Sequence, residues 1–551
     1  MRKSYTRLLL LLLPFVFSLQ ASAQKYEAEN ATLAGGATKQ SCTTCSGGFF
    51  VAQQDGNLTF NATPPKAGFY NIYIRAASTG GSKINKFEVD GNTLDFSFSQ
   101  TQYSTLKLVA ALQLSAGQHQ VKIIKSWGWI NIDYLEFEEV EGTNRFNLNQ
   151  QLVNPNPTPE ARALYDFLLD NYGDKIISGV MTLNSFDEST WLKQNTGKEP
   201  ALLGLDLMHS GRGYAWYNDK APIIDAKTWY ERNGIPAMLW HWRDPSRTTE
   251  EFYTRNTSKP TGTTFNISKV ADPSSAEYKA MLADIDYIAG MLKELQSQHV
   301  PVIWRPLHEA AGGWFWWGAK GGAPLKTLWR LMYDRMVNHH GLKNLIWVWT
   351  REPNDDDWYP GDEYVDLVGR DVYKDGDHSS QVLEFSDMNN RYGGKKMLTL
   401  SETGSFPEVD NLVKDGAAWS WYMPWYGNYT RESRYNPLDL WKKMFAHEYV
   451  ITLDEMPNLR NYTRQDQIVT GIKDMETDQR AFTAYPTLVQ DQLRVKGSKA
   501  IQTIDVYTQV GSSVLKLKTS GKEVMVSMTS LRPGFYLVIV NGTTTLKIIK
   551  E

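Results

Sequence analysis

Two glutamates stand where apolar runs of the chain stop. One run continues as Trp304-Arg305-Pro306-Leu307-His308-Glu309. Proline has no N–H for a central ladder, so Pro306 marks where regular pairing ends and places His308 and Glu309 just beyond it. Another run ends Leu398-Thr399-Leu400-Ser401-Glu402-Thr403-Gly404, with Gly404 read as the turn that leaves Glu402 at the same rim. Two carboxyls aimed into one cleft can divide labour. One, kept protonated by its surroundings, gives its proton to a leaving oxygen; the other stays ionised and attacks an anomeric carbon. That is the equipment of retaining glycoside hydrolysis. A lone rim glutamate is usually solvated or salt-bridged, and it is the paired strand-end placement that carries the reading.

Aromatic residues crowd the same positions. Trp314-Phe315-Trp316-Trp317 follows Glu309, and four consecutive rings cannot all face a core, because helix and strand alike turn some of them outward. One or two of the four are expected in the core and the others on the cleft wall, stacked on the apolar faces of sugar rings. Trp240-His241-Trp242 and Trp419-Ser420-Trp421-Tyr422-Met423-Pro424-Trp425 end two further runs and add rings at that rim. Among polar candidates, Arg305, His241 and His308 could orient substrate or a carboxylate. Arg370-Asp371-Val372-Tyr373 closes the run before Glu402, so Tyr373 could donate to an ionised glutamate on the neighbouring strand, with Asp371 beside it.

The elements that must position these residues form eight apolar runs: Lys175–Thr182, Pro200–Leu207, Gly234–Trp242, Val300–Trp304, Asn344–Thr350, Val365–Tyr373, Lys395–Ser401 and Ala418–Trp425. Amphipathic stretches such as Ala276–Gln296 and Leu325–Asn338 lie between them. Strands alternating with helices in eight units over about 300 residues are what a (β/α)8 TIM barrel requires, and such barrels carry function at the carboxyl ends of their strands. A doubly wound sheet would also alternate, but with fewer strands and a Gly-rich phosphate turn, which the sequence lacks. Ahead of the barrel, residues 24–140 show period-two alternation with Gly, Asn and Asp punctuation, as in Tyr70–Arg75, Lys86–Val89 and Gln120–Ile124, and predict a β-sandwich. Asn147 to Pro159, rich in proline and asparagine, reads as an exposed linker. After about Asn461 the chain turns polar, then β-like again from Tyr485, which predicts a small C-terminal β-sandwich.

Composition narrows the function further. With 58 basic against 61 acidic residues, the chain carries no electrostatic footprint for nucleic acid. Its first residues read as a secretory signal: Arg2, Lys3 and Arg7, an apolar stretch from Leu8 to Leu19, and an Ala21-Ser22-Ala23 cleavage site. The stretch is short of the ~20 residues a membrane span needs, so stable membrane insertion is not expected. Export permits a disulfide, and Cys42-Thr43-Thr44-Cys45 is the one available pair. It sits in a Ser/Thr/Gly-rich loop, where a structural bridge is favoured over redox chemistry. Nineteen tryptophans are the outlier, and part of that surplus is read as binding surface.

Taken together, Trp304–Glu309, the Trp-Phe-Trp-Trp-Gly run ending at Gly318 and Ser401-Glu402-Thr403-Gly404 resemble glycoside hydrolase family 26, a group of retaining barrels dominated by endo-β-1,4-mannanases. The resemblance covers about Pro159 to Leu459. It implies Glu309 as acid/base and Glu402 as nucleophile, with His308 and Tyr373 supporting the −1 sugar and the nucleophile. Trp314 and Trp425 would stack on the flanking sugars, with Trp240, His241, Trp317, Arg305 and Asp371 as further substrate contacts. No cofactor is implied for catalysis. Residues 24–140 resemble a carbohydrate-binding module of the family 6/35 type, marked by Tyr26-Glu27-Ala28-Glu29, Ser46-Gly47-Gly48 and Asn131-Ile132-Asp133-Tyr134-Leu135. That resemblance implies ligand contacts at Trp127, Trp129 and Asn131, and a structural calcium held by Glu27, Glu29 and Asp133. Residues 483–551 resemble the C-terminal sorting domain of type IX secretion cargo, through Ala484-Tyr485-Pro486, Leu531-Arg532-Pro533-Gly534-Phe535-Tyr536 and the basic close Lys547–Lys550. The expected organisation is a signal peptide (1–23), a module (24–140), a linker (141–158), a barrel (159–460), a second linker (461–482) and a sorting domain (483–551). The expected protein is a secreted, monomeric endo-β-1,4-mannanase. Its rivals are the same chemistry on mixed-linkage glucan or β-1,3-xylan, an exo-acting mannobiohydrolase, and a glycan-binding protein without activity.

Overall fold

A computed structural model describes residues 23–140, 146–211, 213, 220–353, 355, 357–464, 482–486, 488–508, 513–531, 534–541 and 544–550. The signal segment up to Ser22, Arg532 and Pro533 of the tail motif, and most of the second linker lie outside the described residues. Two compact units result, one reaching Tyr462 and the other beginning at Thr463.

All eight apolar runs form parallel strands: β1 (Ile176–Met181), β2 (Leu202–Asp206), β3 (Ile235–Leu239), β4 (Val302–Arg305), β5 (Leu345–Arg351), β6 (Leu367–Val372), β7 (Met397–Thr403) and β8 (Trp421–Pro424). They pair in sequence order, and β1 pairs with both β8 and β2, which closes the barrel. Each strand is buried on both faces, which is why these runs read as continuous hydrophobic stretches without alternation. Ser275 caps the helix Ala276–Ser297 by accepting from Tyr278 N. The helix Gly322–Tyr333 passes into a π-helical turn, Asp334–His339.

The first module is a two-sheet antiparallel sandwich, with a six-stranded sheet centred on Ile130–Val140 and a five-stranded sheet centred on His119–Trp127. Cys42 and Cys45 are disulfide-bonded in its loop. The helix Val382–Arg391 of the barrel packs against the module strands Asn92–Phe98 and Ser104–Leu114, and the buried apolar residues of module and barrel form one continuous cluster. Polar contacts fasten the joint. Lys374 Nζ donates to Thr93 O (3.2 Å), and Asp415 Oδ2 accepts from Asn92 Nδ2 (3.3 Å) and Ser380 Oγ (2.5 Å).

The segment Asn147 to Pro159 is not an exposed linker. Asn147 N and Asn149 N donate to Gly394 O and Lys395 O, both at 2.9 Å, and Asn154 is buried with its Nδ2 on Leu342 O. Proline and asparagine in sequence suggest a solvated stretch. Here they let an irregular strap satisfy its backbone against the barrel wall.

The C-terminal unit is a six-stranded sheet built around the long strands Gln492–Thr508 and Ser513–Ser527. It has its own apolar cluster, including Val495, Ile504, Val506, Val538 and Ile548.

Candidate active site

The site is assembled at the carboxyl ends of β2 to β8. After β4 the chain passes through two left-handed residues, Leu307 (φ 51°) and Glu309 (φ 52°), on either side of His308. Non-glycine residues hold this conformation only where their surroundings impose it. Here Trp317 Nε1 donates to His308 O (2.9 Å) and Trp314 Nε1 donates to Glu309 Oε2 (3.0 Å). The ring of Trp314 lies so close over Gly312 that a Cβ there would come within 2.1 Å of it.

Glu402 is aimed by an irregularity in β7. The β6–β7 register passes from Arg370↔Leu400 to Asp371↔Glu402, so Ser401 is an extra residue and Glu402 turns inward on a bulge. Gly404 is not the turn that the sequence suggested, because its N–H still pairs with Val372 O (2.9 Å). Its lack of a side chain instead makes room for Tyr373, whose ring would lie 3.2 Å from a Cβ.

Glu402 is held from two sides. Tyr373 Oη donates to its Oε2 (2.9 Å) and Arg305 Nη2 donates to its Oε1. Arg305 Nη1 also serves Asp371 Oδ2 (2.9 Å) and Thr350 Oγ1 (3.1 Å), and Ser401 Oγ donates to Asp371 Oδ1 (2.8 Å). Carboxylate oxygens of Glu309, Asp371 and Glu402 all lie within 4.8 Å of one another. Burial, reinforced by the charges of Asp371 and Glu402, pushes the Glu309 carboxyl up to about 10. Burial raises Glu402 less, to about 7, because Arg305 offsets it. Two carboxyls in one cleft with their proton affinities pushed apart are an acid and a nucleophile in waiting.

On the β3 side, His308 Nε2 meets His241 Nε2 at 3.2 Å, and His241 Nδ1 meets Asp206 Oδ2 at 2.7 Å. Burial, more than any neighbouring charge, holds His308 well below the ordinary imidazole range. Trp425 is half-buried with its ring 5.9 Å from His241.

Several expected contacts fall elsewhere. Of the four consecutive aromatics only Trp314 is exposed (38%), while Phe315, Trp316 and Trp317 are buried at 2% or less. Trp240 is buried as well, stacked on Trp242 at 4.2 Å. Trp240 and Trp317 therefore belong to the packing behind the cleft, and most of the tryptophan surplus is core. Many of the buried indole N–H groups find an acceptor, as Trp316 Nε1 does on Trp242 O (2.6 Å) and Trp242 Nε1 on Asp284 Oδ2 (2.9 Å), whereas those of Trp304 and Trp347 are buried with no partner and their rings stay in the core for the apolar area they bury. Arg305 and Asp371 are also buried, and they brace Glu402 without lining the cleft. Asp206 and Ser401 were missed. Asp206 closes β2 as Glu402 lies near the end of β7, so the strand-end rule applied to every acidic residue finds it as well.

In the module, Trp127 and Trp129 are exposed (66% and 42%), with Asn131 half-buried on the next strand. Gly47 places Glu27 and Glu29 side by side, and each has a buried Oε2 without a partner. Asp133 differs: its oxygens accept from Ser46 N (2.9 Å) and from Arg75. Two orphaned carboxylate oxygens fit a hard cation, whereas Asp133 is already neutralised by the Arg75 guanidinium.

Comparison with known proteins agrees with this geometry. Residues 153–455 match the model of Glycosyl hydrolase family 26. The chain belongs to this family. It is a glycoside hydrolase, and residues 24–140 match Carbohydrate binding module (family 35) while residues 483–551 match the Secretion system C-terminal sorting domain. That last domain makes it a secreted or cell-surface protein, and among the described residues no helix is long and apolar enough to cross a membrane. The family 26 chain is 36% identical over 451 residues to a mannan endo-1,4-beta-mannosidase of Thermothelomyces thermophilus, covering 79% of this chain and 91% of that one. It is 34% identical to mannan endo-1,4-beta-mannosidase B of a Piromyces species, covering 83% and 82%. Among solved structures it is similar to the GH26-CBM35 β-(1,4)-mannanase of Podospora anserina (TM-score 0.55, 34% identity, 80% of this chain and all of that one). It is also similar to a ruminal GH26 endo-β-1,4-mannanase (TM-score 0.63, 28% identity, 79% and 98%).

Proposed function

We propose that the chain is a secreted, monomeric endo-β-1,4-mannanase that hydrolyses mannan with retention of anomeric configuration. The observation that carries this reading is the placement of Glu309 and Glu402, whose carboxylate oxygens approach within 4.8 Å. Retaining enzymes hold their carboxyls roughly 5–5.5 Å apart, whereas inverting enzymes need room for a water between them. The names of the family relatives support mannan as the substrate. Glu402, kept ionisable by Arg305 and Tyr373, attacks the anomeric carbon while Glu309 protonates the departing glycosidic oxygen. Glu309, now a carboxylate, then takes a proton from water; that water attacks the same carbon, and Glu402 leaves as a carboxylate. Trp314 and Trp425 stack on sugars either side of the scissile bond, and His308 and His241 contact the sugar bound at the reacting carbon.

The module binds glycan through Trp127, Trp129 and Asn131, and Glu27 and Glu29 hold a structural calcium there. No cofactor takes part in the hydrolysis.

The test is reducing-end release from a panel of β-glycans, with product lengths resolved. Mixed oligosaccharides from mannan support the reading. Mannobiose alone would make the enzyme exo-acting, and preference for mixed-linkage glucan or β-1,3-xylan would reassign the substrate. Glu309→Gln and Glu402→Gln should each lose orders of magnitude in hydrolysis while still binding the polymer, and near-normal activity in either would overturn the assignment.

A further inference from the structure

Both carboxylate oxygens of Asp206 are engaged at the end of β2. Its Oδ1 accepts from the backbone N–H of Met208 (2.9 Å) and of His241 (3.1 Å), and its Oδ2 meets His241 Nδ1 at 2.7 Å. A carboxylate can only accept, so His241 carries a proton on Nδ1. In neutral His241 that is the ring's single proton, and Nε2 is then a bare acceptor. The group facing it, at 3.2 Å, is Nε2 of His308. That nitrogen must donate, which leaves His308 Nδ1 as a bare lone pair, buried and with no hydrogen-bond partner in the protein.

We infer that Asp206 is a positioning residue: through His241 it sets the direction of the hydrogen bond made by His308, leaving the buried His308 Nδ1 as an unprotonated acceptor for a substrate hydroxyl when sugar occupies the site. The low proton affinity of buried His308 agrees with a neutral ring. His308 directly precedes Glu309 and is pinned by Trp317, so this acceptor is fixed relative to the carboxyl that protonates the leaving oxygen. The inference rests on the proposed glycosidase chemistry, but it concerns proton placement that can be read without turnover.

The test is the substitution Asp206→Asn in the full chain. The two backbone N–H groups require an acceptor and so hold the amide oxygen at the Oδ1 position, which turns the amide NH2 toward His241 Nδ1. The whole relay then reverses while its shape is kept: His241 is protonated on Nε2, His308 accepts there, and His308 Nδ1 carries hydrogen. Reversing the tautomer of a histidine that itself transfers the proton costs about 10⁴ in rate. Two residues away from the reacting atoms, a fall of about a hundredfold in kcat with soluble manno-oligosaccharides is expected. Histidine-selective ¹⁵N labelling, readable because the chain has only nine histidines, should show an unprotonated Nδ1 at His308 in the parent enzyme and a protonated one in Asp206→Asn. Activity of the variant within about threefold of the parent would overturn the inference. A protonated His308 Nδ1 in the parent would overturn it too, and that measurement needs no variant to fold. Near-normal activity in Glu309→Gln would overturn the proposed function alone and leave the proton placement at His308 to be read separately, so the two failures are distinguishable.

Discussion

The indole N–H of Trp314 donates to Oε2 of Glu309 at 3.0 Å while the ring itself stays 38% exposed. One side chain thus touches the acid/base and faces the cleft. Donation to a carboxyl favours its ionised form. Trp314→Phe keeps the ring and removes the donor, so the proton affinity of Glu309 should rise and the basic limb of the kcat/KM profile should move to higher pH. Trp314→Ala should add a several-fold rise in KM through loss of the stacking surface. An unmoved basic limb in Trp314→Phe would mean the indole does not tune Glu309.

Hydrolysis needs Glu402 ionised and Glu309 protonated. Activity should therefore rise with pH as Glu402 loses its proton and fall as Glu309 loses its own, with both limbs above the ordinary glutamate range because burial raises both groups. The limbs belong to the coupled pair. Tyr373→Phe removes one donor from Glu402, so the acidic limb should shift upward, together with a fall in kcat of about tenfold or more. A profile identical to that of the parent would show that the hydroxyl plays no part.

Arg305 is buried between two carboxylates, Asp371 and Glu402. Arg305→Met would leave both without their counter-charge in a dry site. The expected cost is about 3–5 kcal/mol of stability, visible in chemical denaturation, with activity lost as well. A variant as stable as the parent would show that water reaches the pair.

Part-buried polar contacts fasten the module joint around its shared apolar cluster. Lys374 spans it, bonding Gln381 Oε1 (2.8 Å) on one side and Thr93 on the other. Lys374→Ala leaves those acceptors unpaired, at about 1–3 kcal/mol. Calorimetry should then show the module melting ahead of the barrel, with one joint transition for the two expected in the parent.

Trp127 pairs with Ile84, whereas the hairpin that meets Lys374 and Asp415 turns at Val89 and Asn92. Five residues of strand separate them, roughly 17 Å. The exposed rings therefore lie at the opposite end of the strand from the joint. Trp127→Ala with Trp129→Ala should weaken binding to insoluble mannan and leave kcat on soluble oligosaccharides unchanged. Removal of divalent cations should lower the melting temperature of the module through Glu27 and Glu29, again without changing that kcat.

Much of this molecule is determined locally. Parallel strands buried on both faces must be runs of apolar residues, so all eight could be read from the chain, and Pro306 marked the end of β4 because a missing N–H is a property of the residue itself. Glu309 and Glu402 followed from those strand ends. What remained undetermined depends on partners distant in sequence. Whether a tryptophan is wall or core depends on what the closed barrel packs against its ring, and Trp316 reaches the carbonyl of Trp242 only once the barrel closes. The strap from Asn147 resembles a linker until Gly394 and Lys395 offer it acceptors. The bulge at Ser401 exists only in the register of β7 against β6. The line from Asp206 through His241 to His308 joins the ends of three strands, and no spacing along the chain encodes it. Burial patterns are written residue by residue, whereas hydrogen-bond direction and proton placement belong to pairs that tertiary structure alone brings together.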